Sequence, residues 1–226
     1  EEQVIDLEAA RTFWSFRPLE KVTPPPVKDT AWSANPIDQF VLHELEAKGI
    51  PVAPEAPQTM LVRRLYMGLT GLAPSRAEVE VFVSEQGSSD WNKLVDKVLS
   101  SQRFGERWAR HWLDLARFAE SNGYAFDKDR KGAFHYRDFV IKALNEDLPY
   151  DEFVRMQLAG DLIDEKSQDH VAATGFIAAG PFTSQQTAKE RERSRYEQLD
   201  DLIGTVSTAM LGLSVACARC HDHKFD

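Results

Sequence analysis

Residues 103–121, RFGERWARHWLDLARFAES, decide the fold class because their apolar side chains recur at helical spacing. Trp108, Trp112 and Leu115 follow one another at intervals of three and four residues, and Phe118 continues the series. This spacing places side chains on one face of an α-helix. We therefore predict one long helix over 103–121 with these four side chains facing the core. Polar side chains occupy neighbouring positions: Arg107, His111, Asp114 and Arg117.

Similar patterns on both sides of this segment predict further helices. Asn35 is a good N-cap, Pro36 suits the first turn, and Gly49 ends that helix. Ser75 and Glu78 have the spacing of a capping box. The other predicted helices cover about 4–11, 58–69, 90–100, 134–145, 150–159 and 170–179, the last of them capped by Asp169. No segment alternates with period two, so the sequence predicts an all-α fold, a multi-helix bundle.

The amino-terminal residues 1–34 are predicted to form an extended arm. Pro24, Pro25 and Pro26 cannot lie in a helix. We expect the aromatic side chains of this arm to anchor it: Trp14, Phe16 and Trp32. Residues 35–226 would then form a single helical domain, which we expect to continue beyond residue 226 in the full-length protein.

The amino-acid composition changes twice in the segment before the carboxyl end. Residues 185–199 are strongly polar and predict an exposed loop that leads into a solvated helix. Residues 202–218 then carry no charge. This length is marginal for a membrane span, so we predict a buried helix and no transmembrane segment. Such a helix would bring Cys217 from the core to the surface.

Composition narrows the classes of function. Of the 226 residues, 42% are hydrophobic and 28% are charged, as in ordinary globular proteins. The net charge of -9 disfavours a nucleic-acid partner, because phosphate neutralisation needs an excess of Lys and Arg. The sequence also has no Gly-x-Gly-x-x-Gly, phosphate loop, Gly-x-Ser-x-Gly or His-Glu-x-x-His motif, which disfavours nucleotide-binding proteins, serine hydrolases and zincins.

The sharpest chemical signal lies near the carboxyl end, where Cys217 and Cys220 are followed directly by His221. Cys-x-x-Cys-His is the spacing at which c-type haem is covalently attached. The two thiols add to the porphyrin vinyl groups, and the imidazole is the proximal ligand of the iron. Two alternatives stay open: a zinc or other metal site that includes His223, and a redox disulfide or structural thiols.

The sixth position of a haem iron would be open or filled by a side chain from the helical body. His111 is the first candidate for this distal ligand and His135 the second. Met156 and Met210 are weaker candidates.

Several polar residues stand among apolar neighbours in the middle of the chain. They are predicted to form a network of ion pairs between helices, since buried charges are usually paired. The alternative is a polar pocket beside the haem, in which an arginine holds a propionate or an anionic substrate. The residues are Asp114, Arg117, Asp127, Tyr136, Arg137, Gln157 and Asp161.

A series of short motifs, in this order, resembles the planctomycete cytochrome-associated domain of the second type. The motifs are WSFRPL (14–19), NPID (35–38), LTGL (69–72), GERWARHWLD (105–114), YRD (136–138), QLAGD (157–161), ATGF (173–176) and CARCHDHKFD (217–226). The resemblance covers nearly the whole chain. It implies an exported protein, periplasmic or otherwise extracytoplasmic, in which this domain sits beside a cytochrome-like domain.

Together these observations predict an extracytoplasmic domain that carries one covalent haem c on Cys217, Cys220 and His221. It would transfer electrons to a redox partner protein or an adjoining cytochrome domain, or act as part of a haem-dependent oxidoreductase. The alternative is a non-haem metal-binding or structural module of a secreted assembly, for example one that processes polysaccharides. A Soret band and a haem mass increment separate the first hypothesis from the second.

Overall fold

The structure is a computed structural model that describes residues 6–33, 35–84, 91–123, 127–183 and 186–221. Within these ranges every regular element is a helix and no strand occurs, which confirms the predicted all-α fold class. Extended pairing there is limited to one antiparallel bridge between Ser121 and Asp129. The chain forms two compact units, residues 1–56 and 57–226, which are described separately. The predicted domain boundary after residue 34 stays a prediction.

The described residues of the first unit contain two helices, α1 (Leu7–Arg11) and α2 (Pro36–Ala47), with a 3₁₀ turn at Trp14–Phe16. Helix α2 begins as predicted. The Asn35 side chain accepts a hydrogen bond from the Asp38 backbone N–H at 3.1 Å, and Asp38 accepts one from the Asn35 N–H at 3.2 Å. This reciprocal capping satisfies two amide groups at the helix start. Trp14 is mostly exposed, and the predicted anchoring role of the aromatic side chains stays a prediction.

The second unit contains nine helices among its described residues and holds two hydrophobic clusters. The smaller cluster consists of Val62, Tyr66, Phe82 and Val98, and the larger one is built around α6 to α10. The bounds are α3 (Gln58–Thr70), α4 (Arg76–Ser84), α5 (Trp91–Leu99), α6 (Gln102–Leu115), α7 (Ala133–Asn145), α8 (Tyr150–Ile163), α9 (Gln168–Ala173), α10 (Gly175–Ala178) and α11 (Glu190–Val206).

Helix α6 packs on α7 through its small residues, which corrects the predicted core face. Trp108 is 42% exposed and Leu115 is 48% exposed, whereas Gly105 and Ala109 are buried. A Cβ placed on Gly105 would lie 2.5 Å from the Ile141 carbonyl oxygen. The two helices approach so closely that only small side chains fit between them. Trp108 and Leu115 therefore stay at the margin of this contact, whereas Trp112 packs against the larger cluster as predicted.

Helix α6 also ends at Leu115, earlier than the predicted end at Ser121. Arg117 adopts a left-handed backbone conformation with φ of 51°. A helix cannot continue through such a residue. The chain therefore turns away at Arg117, and Phe118 packs against the core from outside the helix.

A neutral hydrogen-bonded triad lies inside the larger cluster. The fully buried Gln157 accepts hydrogen bonds at its Oε1 from the Trp112 indole N–H and the Tyr136 hydroxyl, both at 2.7 Å. Its Nε2 donates to the Phe153 carbonyl at 3.0 Å. Burial raises the pKa of Tyr136, so the phenol stays neutral and donates. Tyr136 and Gln157 are thus core residues rather than members of an ion-pair network.

The carboxyl-terminal elements differ from the predicted buried helix over 202–218. Helix α11 continues through a π-helical turn at Ser207–Leu211 and ends at Gly212, whose φ is 65°. Ile203 is 58% exposed and Leu211 is 65% exposed. The uncharged stretch therefore forms the partly exposed end of helix α11 and the residues after it, rather than a buried helix.

Helices α8 and α9 also depart from their predicted limits. Helix α8 continues beyond Ala159 to Ile163, with a kink at Ala159, where φ is -152°. Helix α9 is capped by Ser167 rather than Asp169. In the part of the chain that is described, no helix is both long and apolar enough to cross a bilayer.

Candidate functional site

Cys217 lies at the surface in a short 3₁₀ turn, Ala216–Arg219, and Cys220 directly follows this turn. The Cys220 backbone N–H donates to the Cys217 carbonyl at 3.2 Å, so a single tight turn separates the two residues. Both thiols are exposed, and so is His221. We call residues 216–221 the cysteine segment. The structure thus brings the three predicted attachment residues together on one exposed turn.

The cysteine segment is held against α11. The Arg219 guanidinium forms an ion pair with the Asp200 carboxylate at 3.1 Å. One turn further along α11, Gly204 faces Ala216, because a Cβ placed on Gly204 would lie 3.8 Å from the Ala216 Cβ. The segment thus contacts α11 through this ion pair and beside Gly204, and both of its cysteines are exposed.

The residue next to Asp200 makes a second ion pair, this time with the end of α6. Arg117 Nε and Nη2 both donate to Asp201 Oδ2, at 2.8 and 2.6 Å. The Arg117 side chain is 21% exposed and that of Asp201 is 34% exposed. Gly180 packs directly on this pair, because a Cβ at that position would lie 2.9 Å from Arg117 Nη2. Adjacent carboxylates of α11 thus bind the cysteine segment and Arg117, which lies just after α6.

Arg130 is a second, half-buried cation beside Arg117. Its guanidinium donates to the Asn122 side chain and to the carbonyls of Ala178, Ala179 and Gly180 at 2.6–3.1 Å. Burial lowers the pKa of Arg130, and the positive charge of Arg117 lowers it further. Both arginines line a cavity of about 380 Å³ together with Asp201.

The sequence singled out Arg117 but missed Asp201 and the role of Arg130. Asp201 immediately precedes the uncharged stretch that was predicted to be buried, and that position was the available signal. A charge at the edge of an apolar segment often has a partner on a neighbouring element. The partner itself could not be identified, because Arg117 lies 84 positions away in the chain.

The remaining polar residues do not join one network. Arg137 pairs at the surface with Glu120 at 2.6 Å and with Asp138 at 3.0 Å. Asp127 accepts hydrogen bonds within its own loop, from the Gly123 N–H at 2.8 Å and from the Ser121 hydroxyl at 3.0 Å. These two bonds hold the pKa of Asp127 below its usual value. The two other predicted members are exposed: Asp114 and Asp161.

The four candidate distal ligands lie in two kinds of surroundings. His111 is exposed on α6 and stacks edge-on against Trp108, with ring centroids 5.5 Å apart. His135 is exposed on the first turn of α7 and stacks on Phe134 at 4.0 Å. Met156 and Met210 instead pack in or against the larger hydrophobic cluster. Met156 is buried and Met210 is half-buried, whereas the two imidazoles are exposed. The ligand role of all four stays a prediction.

Among the residues with described positions, no three His, Cys, Asp or Glu side chains gather closely enough to hold a metal ion. The zinc hypothesis depended on His223 as the fourth ligand. That residue lies outside the described part of the chain.

Replacing Asp201 with asparagine should lower the free energy of unfolding by about 2 kcal/mol, because the half-buried Arg117 loses its negatively charged partner. Asp200→Asn is the matched control. Its partner Arg219 is more exposed, so we expect a change within about 0.5 kcal/mol. Urea unfolding of both variants measures the difference. Equal effects would contradict the special role of the Arg117–Asp201 pair.

A model of the PSCyt2 family, described as "Protein of unknown function (DUF1549)", matches residues 36–226. No curated protein matches the chain. No solved structure matches it either.

Proposed function

Because the chain belongs to the PSCyt2 family, whose description assigns no function, we propose a function from its own residues. It is a domain that carries a covalently attached haem c, with Cys217 and Cys220 as thioether anchors and His221 as the proximal iron ligand. The observation that carries this proposal is the exposed turn that presents both thiols directly before an accessible histidine.

The chemistry of this donor set fits the group. Thioether formation adds each S–H across a vinyl group, so both sulfur atoms must be accessible to the porphyrin edge. Cys217 and Cys220 meet that requirement. His221 follows the second anchor directly, so attachment would keep its imidazole close to the iron and reduce the entropy lost when it binds.

The contacts of the cysteine segment with α11 support the same proposal. The Arg219–Asp200 pair and the packing of Ala216 against Gly204 hold the backbone of the turn in place. Neither of these two contacts involves a thiol, and both cysteines are exposed. A fixed segment costs less conformational entropy on attachment than a freely moving terminus.

The bound haem would supply reversible one-electron transfer between the ferrous and ferric states of its iron. The protein would determine the axial ligand, the exposure of the haem and the nearby charges, which tune its potential. We propose a redox partner protein or an adjoining cytochrome domain as the other participant. Attachment of haem c also places the protein outside the cytoplasm, in the periplasm or a similar compartment.

The decisive test is expression of the chain in a host that matures c-type cytochromes. We expect a coloured protein with a Soret band, and a mass increment equal to haem that persists after denaturation. Metal analysis should find one iron per chain. A colourless protein from that host would contradict the proposal, and bound zinc without pigment would favour the non-haem alternative.

A further inference from the structure

Arg130 also lines a second cavity, which is larger than the one it shares with Arg117 and Asp201. None of the residues that line this second cavity belongs to the cysteine segment. The second cavity has a volume of about 680 Å³ and is formed by the first turn of α7, the residues around 165–168, α9 and α10. This volume falls in the range of small-molecule sites in proteins, about 300–1,000 Å³. The cavity can therefore accommodate an organic molecule of moderate size.

Small residues give the cavity its depth. Those that line it are Gly132, Ala133, Ala172, Gly175, Ala178 and Ala179. Gly175 has a specific packing role, because a Cβ there would lie 2.5 Å from the Tyr136 Cβ. Tyr136 is itself buried and hydrogen-bonded to Gln157. The wall between α7 and α10 is therefore closely packed.

The charged groups around the cavity favour an anion. Arg130 and Lys166 contribute two cations, against one carboxylate from Glu165. The hydrogen-bond partners of Arg130 among the described residues are an amide and three carbonyls, none of which carries a negative charge. These bonds use four of the five N–H groups of a guanidinium. The Asp127 carboxylate is close enough to raise the pKa of Arg130, but it is not among these hydrogen-bond partners. A half-buried guanidinium bonded only to neutral groups attracts a negatively charged ligand.

We propose that this cavity binds an organic carboxylate with an apolar body, whose negative group is held by Arg130 and whose apolar part lies against the alanine and glycine residues. Lys166 strengthens the attraction from the rim. The site does not depend on haem attachment, since none of the lining residues belongs to the cysteine segment.

Isothermal titration of the purified chain with naphthalene-2-carboxylate tests the proposal, with neutral naphthalene-2-carboxamide as the matched probe. We expect one saturable site that prefers the carboxylate by about tenfold or more, since a hydrogen bond to a charged group contributes about 1.5–3 kcal/mol. The absence of saturable binding, or equal affinity for both probes, would overturn the proposal.

Three variants locate the site. Val171→Trp should weaken carboxylate binding at least tenfold, because Val171 lines the cavity and is sufficiently exposed to accept a larger side chain without unfolding. Lys166→Gln should weaken it about two- to fivefold, as expected for an exposed charge. Lys189→Gln removes an exposed charge outside the lining and should leave the affinity unchanged. Unchanged binding in folded Val171→Trp would place the probe elsewhere and refute the assignment.

Discussion

The double variant Cys217→Ala/Cys220→Ala is expected to lose covalent haem completely, so that its mass after denaturation equals that of the polypeptide. Without thiols no thioether can form. The helical content should stay unchanged, because both side chains are exposed and belong to neither hydrophobic cluster. Mass spectrometry, the absorption spectrum and far-ultraviolet circular dichroism measure the three quantities.

Single variants separate attachment from ligation. Cys217→Ala and Cys220→Ala each leave one anchor, so we expect haem to be retained on one thioether. His221→Ala leaves both anchors and should change the spectrum through loss of the proximal ligand. His111→Ala serves as the matched histidine variant and tests the distal candidate in the same spectra. Retention of covalent haem by the double variant would refute attachment at these thiols.

Gly160→Ala is expected to lower the free energy of unfolding by about 3 kcal/mol, at the upper end of the usual cost of overpacking. A Cβ on Gly160 would overlap the His170 carbonyl oxygen and lie 2.9 Å from the carbonyl carbon. These are backbone atoms at the start of α9, where the Ser167 hydroxyl also accepts a hydrogen bond from the His170 N–H. The backbone of a capped helix start cannot move away from the added Cβ as a flexible side chain can. Helices α8 and α9 must therefore separate to accommodate it.

Gly68→Ala is the control for this substitution. Gly68 lies within α3, and a Cβ there would meet nothing within 4 Å. Alanine favours the helix, so this variant should gain about 0.5–1 kcal/mol. Urea unfolding should therefore give a lower free energy of unfolding for Gly160→Ala and a higher one for Gly68→Ala, although both variants replace glycine with alanine. A Gly160→Ala protein as stable as the parent would mean that α8 and α9 are not in contact at this point.

Local signals in the sequence predicted the starts of α2 and α4, whereas the predicted cap of α9 was wrong. Asn35 caps α2, and Glu78 accepts from the Ser75 N–H at 2.8 Å while Ser75 accepts from the Glu78 N–H at 3.3 Å. Capping involves residues only three positions apart, so the sequence alone contains both partners. The same holds for Cys217 and Cys220, whose separation by one turn follows from their spacing.

Burial within the helices was harder to predict. Trp108 has the spacing of a core residue but lies at the margin, because Gly105 and Ala109 allow α7 to approach closely. Apolar spacing identifies a face that prefers to avoid water. It does not indicate which neighbouring helix comes closest, or where along the face the contact lies.

By itself the sequence determined the helical class, the capped helix starts and the one-turn spacing of the cysteine segment, since each depends on residues a few positions apart. Only the tertiary structure decided the Arg117–Asp201 pair, the cavity beside Arg130 and the contact of Arg219 with Asp200. These features join distant parts of the chain. Their partners are selected by the packing of whole helices, a property that no local stretch of sequence contains.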